Sequence, residues 1–259
     1  MELFDSHCHF DFAAFAGQQT AIWQQCQQAG IRQLLIPGIS PEQWFAALQS
    51  SHSLHGVYTA CGLHPWWVGS FSQTHCMAEL TGLMQNFLAE NAVIAIGECG
   101  LDKLIDTPMA LQQDAFEQQI ALACKLNLPL VVHVRKTHNE TLYMLRHFQP
   151  PAGGVIHGFS GSTELARQYW QMGFYLGIGG TITYDRAKKT RQAVCDLPLE
   201  ALLLETDAPD MPVQGQQGQA NSPLNLPKIA RTLAELRHQD FAAICQQTTA
   251  NCKKLFNLP

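Results

Sequence analysis

No C-x-x-C pair occurs in this sequence, although it carries nine cysteines among 259 residues. They are scattered, the closest being Cys245 and Cys252, which argues against a zinc ribbon or a redox dithiol. Cys61 and Cys124 sit in apolar patterns where cysteine acts as a small hydrophobe, so the thiols are expected to be reduced and structural. No G-x-G-x-x-G follows the first apolar run, which weakens a dinucleotide-binding open sheet. The N-terminus lacks a basic stretch leading into a signal-type apolar core, and no apolar run reaches membrane-spanning length. A soluble, cytoplasmic protein with no membrane partner is expected. Positive charge is also in short supply: 16 Lys and Arg stand against 21 Asp and Glu, for a net charge of −5 and a pI of about 6.1. No global basic field exists to coat a long nucleic acid. Low-complexity tracts, internal repeats and linkers are missing too, so residues 1–259 read as a single domain.

What remains is 46% hydrophobic and ordered in alternating runs. Short β-rich segments at 2–6, 31–36, 57–62, 92–97, 129–134, 153–157, 173–178 and 200–206 alternate with amphipathic stretches. Ser40-Pro41-Glu42 and Thr107-Pro108 offer an N-cap followed by proline at the first helical position. Phe116, Ile120 and Cys124 form a core-facing stripe, Gly30 and Gly173 stand where helices should stop, and 239–256 adds a last helix. Eight strands, each followed by a helix, make a closed α/β barrel of the (β/α)₈ TIM type, for which this length is typical.

Such barrels carry their chemistry at the C-terminal strand ends. There the sequence places His7 and His9 (first strand), Glu98 (fourth), His133 (fifth), His157 (sixth) and Asp207 (eighth). Alternation of side chains turns His7 and His9 to one face and Cys8 to the other, and two imidazoles one strand pitch apart can chelate one metal ion. Each histidine alone has a bland explanation as a core residue. Four imidazoles and two carboxylates, all at strand ends and none at strand starts, point to a metal centre. His52, His55, His75, His138, His147 and His238 fall in helical or loop patterns and are expected at the surface.

The motifs Asp5-Ser6-His7-Cys8-His9, Gly62-Leu63-His64-Pro65, Gly97-Glu98-Cys99-Gly100-Leu101-Asp102, His133-Val134-Arg135, His157-Gly158-Phe159-Ser160-Gly161 and Glu205-Thr206-Asp207-Ala208-Pro209 resemble the TatD family. Members are metal-dependent hydrolases on a TIM-type barrel, several of them deoxyribonucleases. The likeness runs from the first strand to Asn251 and Leu255-Phe256. It is specific for the family and far less so for the substrate; Asn221-Ser222-Pro223 resembles the family's Asn-x-Pro, whereas the Gln/Gly-rich approach at 214–219 departs from its pattern, which bears on the shape of the substrate pocket more than on the chemistry.

The resemblance implies two divalent ions, with His7 and His9 on one, His133 and His157 on the other, Glu98 bridging, and Asp207 on the first, where it holds the nucleophilic water. Four positive charges against two carboxylates leave a surplus suited to an anionic phosphodiester, and paired ions stabilise both attacking and leaving oxygens. The mixed donor set tolerates several metals; zinc is the ion expected bound, with manganese or magnesium as activators. His64 is expected to contact the leaving group or orient a ligand, and Arg135, on the strand face of His133, to clamp phosphate. Asp5 and Asp11 are candidates to accept a ligating imidazole's N–H. Glu205 shares a face with Asp207, and Ser160 and Gly161 open the sixth helix. The basic run from Arg186 to Arg191 offers a short track for a nucleic-acid backbone. The expected substrate is nucleic acid, as single-stranded or frayed DNA ends cleaved exonucleolytically, and no obligate protein partner is evident. Two other classes stay open: a barrel amidohydrolase acting on an amide, lactone or carboxyl ester, and a non-catalytic metal-dependent binding protein.

Overall fold

The computed structural model describes residues 2–259. Its eight strands are β1 (Leu3–Asp5), β2 (Ile31–Ile36), β3 (Val57–Cys61), β4 (Ala95–Asp102), β5 (Leu130–Arg135), β6 (Gly154–Ile156), β7 (Phe174–Ile178) and β8 (Leu202–Leu204). They lie in sequence order in one sheet, every recorded neighbour pair parallel. Around them run α1 (Gln19–Gln28), α2 (Pro41–Ser53), α3 (Pro65–Thr74), α4 (Glu79–Glu90), α5 (Met109–Leu126), α6 (His138–Phe148), α7 (Thr163–Gln171), α8 (Lys188–Asp196), α9 (Leu226–Arg237) and α10 (Phe241–Leu255). This is the expected (β/α)₈ barrel, with the added last helix after β8 also as expected and two helices rather than one after β3. No described helix is long and apolar enough to cross a membrane.

The period-two alternation of each strand separates two apolar layers. Phe4, Leu35, Ala60, Ala95, Val131, Val155, Tyr175 and Leu203, one from each strand, pack together inside the barrel. Their neighbours Leu34, Ile36, Leu130, Val132, Leu202 and Leu204 face the helices instead. Cys252, Leu255 and Phe256 from the end of α10 join the inner layer and plug its floor, Phe256 lying 5.9 Å from the Phe4 ring. Two residues further along the strands the inner positions turn polar or shrink to glycine: Gly62, Gly97, His133, His157, Gly177 and Glu205. A Cβ on Gly62 would stand 2.5 Å from Gly97 Cα, and one on Gly177 would collide with the Glu205 carboxylate. The glycines make room for the charged layer above the apolar one.

The last seam, between β8 and β1, is closed by individual bonds. Ser6 N–H donates to Leu204 O at 2.9 Å, Asp207 N–H to His7 O at 2.8 Å and His9 N–H to Ala208 O at 2.8 Å. The buried Asp5 carboxylate takes the Thr206 N–H at 2.9 Å and hydroxyl at 2.6 Å.

Strand four departs from expectation. It was expected over 92–97 but runs from Ala95 to Asp102, with a register shift between Gly97 and Cys99. Gly97, the last residue of the expected strand, and Gly100, beyond it, are interior positions with φ of 141° and 144°, where a Cβ would strike the backbone of Val131 and His133. Ser40 does precede Pro41 at the start of α2 but makes no capping bond. Thr107 is not a cap, since α5 begins at Met109. Gln112 instead bonds both the N–H and the carbonyl of Asp102 and the Thr107 carbonyl, fastening the end of β4 to α5.

Asn251 in α10 is buried and donates to Leu199 O at 2.9 Å and Leu202 O at 2.8 Å, tying the plug to β8. Asn251→Ala removes both donors and is expected to destabilise the protein by about 2 kcal/mol or more. Urea unfolding should show a lower midpoint at unchanged slope; a midpoint equal to wild type would mean the plug holds by packing alone.

Candidate metal centre

His7 and His9 lie just beyond β1, so the irregular segment after the strand, rather than strand alternation, brings them together. Cys8 points away into the core with no exposure. Glu98 stands inside β4 at the bulge and supplies the centre of the cluster. Its Oε2 lies 3.1 Å from His7 Nε2 and 3.5 Å from His9 Nε2. Its Oε1 lies 2.8 Å from His157 Nε2, 2.9 Å from His133 Nδ1 and 3.2 Å from His64 Nε2. Asp207 Oδ1 approaches the first pair, at 3.5 Å from His7 Nε2 and 3.6 Å from His9 Nε2. All six residues expected as ligands are therefore gathered at one mouth, and His64 joins them. Asp207 adopts a left-handed φ of 56°, a conformation few non-glycine residues hold without a local reason.

Of these approaches, His133 Nδ1 to Glu98 Oε1 is a hydrogen bond at 2.9 Å, whereas those to Glu98 Oε2 are close without the alignment of one. Both ring nitrogens of His7, Nδ1 of His9 and of His157, and Oε2 of Glu98 are buried without a hydrogen-bond partner. Imidazole nitrogens and carboxylate oxygens aimed at shared centres make a donor set suited to a divalent cation. The groups His7, His9, Glu98 and His64, Glu98, His133 each bring ligand atoms within 4.8 Å of one another. Electrostatics agrees. Burial would raise the Glu98 carboxyl, but the surrounding His157, His64 and His7 outweigh it and hold Glu98 well below its ordinary range. Burial lowers His7 and His64 to about 4. His157 resists burial because Glu98, Asp207 and Glu205 face it, and it rises to about 10. Burial raises Asp207 to about 7. His7 and His64 are thus held neutral and Glu98 anionic, the protonation states in which each can donate a lone pair to a cation.

Several flanking expectations change. Asp5 receives the His7 backbone N–H at 3.3 Å and holds the β1–β8 seam, not an imidazole. Asp11 takes the Gln43 amide at 2.7 Å and meets no histidine. Glu205 accepts from Gly158 N–H, fixing the loop that carries His157, with burial raising its carboxyl to about 8. Helix α7 is capped by Ser162, not by Ser160. His138 is half-buried against the Tyr169 hydroxyl at 3.0 Å rather than on the surface. In the basic run, Arg191 is engaged with Ile182 O at 3.0 Å and Asp185 at 3.3 Å, and Arg186 lies over the Tyr184 ring. Only Lys188 and Lys189 remain as exposed, unengaged cations of that track.

Asp102, the last residue of the Gly97–Asp102 motif, joins the centre without any expectation from the sequence. It is buried, and its Oδ2 lies 3.4 Å from His133 Nε2 and accepts the Trp66 indole N–H at 2.9 Å. Burial opposes its charge, but the His133, Trp66 and Leu104 donors prevail and keep it ionised. Its signal was position alone: four residues after Glu98 on the same strand. Arg135 ends β5, exposed, and lines the cavity of about 420 Å³ at the mouth. Phe12, Ile39, Trp66, Trp67, Leu104 and Met211 line it as well.

A parallel barrel with an imidazole and carboxylate cluster at its C-terminal mouth has the architecture of a metal-dependent hydrolase. Residues 4–257 match the model of the TatD related DNase family, and the chain belongs to that family of metal-dependent hydrolases. It is 40% identical over 257 residues to YjjV of Escherichia coli K12, described as an uncharacterized metal-dependent hydrolase, with 98% of each chain covered. The crystal structure of that protein superposes with a TM-score of 0.92, covering 99% of this chain and 98% of the other. The chain is also 31% identical over 265 residues to a 3'-5' ssDNA/RNA exonuclease, TatD, of Klebsiella pneumoniae, covering 99% of this chain and 98% of that one. An organophosphorus hydrolase variant from Deinococcus radiodurans, at 13% identity, 98% and 92% coverage and a TM-score of 0.71, shares the fold alone.

Chelator-treated protein is expected to melt at a lower temperature than protein resupplied with zinc or manganese, since a ligand of the folded state stabilises it by mass action. Asp102→Asn, which weakens the hold on His133, is expected to lower metal affinity about 10- to 100-fold in a competitive chelator titration. Unchanged affinity would detach Asp102 from the metal centre.

Proposed function

We propose that the protein hydrolyses phosphodiester bonds of nucleic acid, acting from the end of single-stranded or frayed DNA, with two divalent cations at the barrel mouth. The observation that carries this reading is the division of Glu98: one carboxylate oxygen faces His7 and His9, the other faces His64, His133 and His157. A carboxylate so placed is suited to bridge two cations. His7, His9, Glu98 and Asp207 would hold the first, and Glu98, His133 and His157 the second. Bound there, a pair of cations polarises the phosphoryl group and makes water acidic enough to attack near neutral pH. Zinc is the ion expected bound, with manganese or magnesium as activators.

The chain's own side chains supply the rest. Asp207, beside His7 and His9 at the rim, orients the attacking water and takes its proton. Arg135, exposed at the end of β5, offers a fork of N–H donors to the phosphate oxygens. His64 has its Nδ1 engaged by the Trp66 backbone N–H at 3.1 Å, so only Nε2 is free to act. With that atom 3.2 Å from Glu98, His64 orients the carboxylate rather than reaching a leaving group. The exonuclease name carried by the Klebsiella pneumoniae relative supports the substrate class. The net charge of −5 favours a short footprint over wrapping of duplex. Nine free cysteines, six of them buried, fit work in the cytoplasm.

Product ladders from end-labelled single-stranded DNA, run with each metal in turn, test the reaction. Shortening from one end that stops on chelation is expected. Turnover of amides or lactones with intact DNA would give the site to amidohydrolysis instead. Glu98→Gln and Asp207→Asn should keep a folded barrel yet lose on the order of 10²-fold or more in turnover. Near-normal rates in metal-replete Asp207→Asn would remove that residue from the mechanism.

A further inference from the structure

Trp66 is 56% exposed at the mouth of the metal centre, one of five large hydrophobic side chains so exposed among the described residues. Leu104, 59% exposed, lies on the same cavity; Phe45, Leu126 and Tyr143 do not line it. An exposed indole gains little from folding, and this one is nevertheless held at two points. Its N–H donates to Asp102 at 2.9 Å, and its backbone N–H donates to His64 Nδ1 at 3.1 Å. The Trp67 ring runs nearly parallel to it, 24° apart at 6.2 Å between centroids, and the His64 ring meets it edge-on at 5.3 Å. With its one polar atom already bonded, Trp66 has only a π-face to offer a ligand.

Resting on the phosphodiester reading, we infer that Trp66 is a stacking platform for a nucleobase next to the scissile phosphate, so that the enzyme requires a base there without choosing among bases. The cavity of about 420 Å³ is within the range of small-molecule sites and sets this aromatic wall against Arg135 and the imidazole cluster. A ligand filling it needs a flat π-system joined to an anion, which is the make-up of a nucleotide. Every base presents a π-face, so stacking tolerates sequence. The platform is also fixed relative to the chemistry: the Asp102 oxygen that accepts the indole N–H lies 3.4 Å from His133 Nε2. Asp102 thereby sets the spacing between base and phosphate.

The test uses the metal-loaded enzyme and two oligodeoxynucleotides, one intact and one with abasic sites on both sides of the scissile bond. Wild type is expected to show a KM for the abasic strand roughly 5- to 100-fold higher. That ratio should collapse toward one in Trp66→Ala and largely survive in Trp66→Phe, which keeps an aromatic face but loses the bond to Asp102. A purely structural role would affect both strands alike and would be as severe in Trp66→Phe. A wild type indifferent to the abasic sites, or a ratio unchanged in Trp66→Ala, overturns the platform. Calorimetric binding of thymidine 5'-monophosphate against deoxyribose 5-phosphate repeats the comparison without turnover. If no phosphodiester is cleaved while wild type still prefers the nucleotide and Trp66→Ala does not, the platform stands and the nuclease reading falls. Cleavage without any preference reverses that outcome.

Discussion

Glu98 is the constraint to which the rest of the mouth conforms. A carboxylate has two oxygens about one C–O bond pair apart, and here each faces a different set of imidazoles. To reach both sets, Glu98 has to leave the middle of a strand toward the barrel axis. The strand that carries it must therefore continue past it, and β4 does so to Asp102. Gly97 and Gly100 let that strand lie against β5, and Gly62 keeps β3 from crowding it. Few other residue types fit those three places without moving the carboxylate.

Beneath this polar layer lies the inner apolar one, from Phe4 round to Leu203, sealed by Phe256. Its contribution to function is dielectric and mechanical. Low polarizability under the cluster makes each charge felt more strongly by its neighbours, which is why the imidazoles around Glu98 hold its buried carboxyl well below the ordinary range. Close packing leaves the cluster side chains little freedom to relax away from one another.

Much of this was legible in the sequence. The eight strands stood out because each is a short apolar run ending in a turn or a ligand-type side chain, and the six expected cluster residues were marked by position. The hidden parts have physical reasons. Glycine ordinarily marks the end of a strand, so the Gly97 to Asp102 segment looked like a loop; only the neighbouring backbone of β5 shows why those positions must be glycine. Asp5 and Asp11 sit near the histidines in sequence, but their partners are Thr206 and Gln43, set by tertiary packing that no local spacing encodes. The same holds for Trp66, whose tie to Asp102 joins residues 36 apart. Arg191 looked like a free cation until the turn after β7 claimed it.

The seam between β1 and β8 gives the centre a place in time as well as in space. Asp5 and Thr206 are 201 residues apart, and His7 and Asp207 ride on the same junction. Bringing such distant ends together costs an unfolded chain roughly 5 kcal/mol in closure entropy, which the intervening strands must offset first. Because the strand neighbours are wholly sequential, the cluster that begins beyond β1 is complete only once β8 closes against β1. During synthesis, His7 and His9 emerge early and wait for Glu98, then for Asp207, before the set around them is whole. A partly made chain carries the donors without the geometry, and the cluster is whole only when the final strand docks.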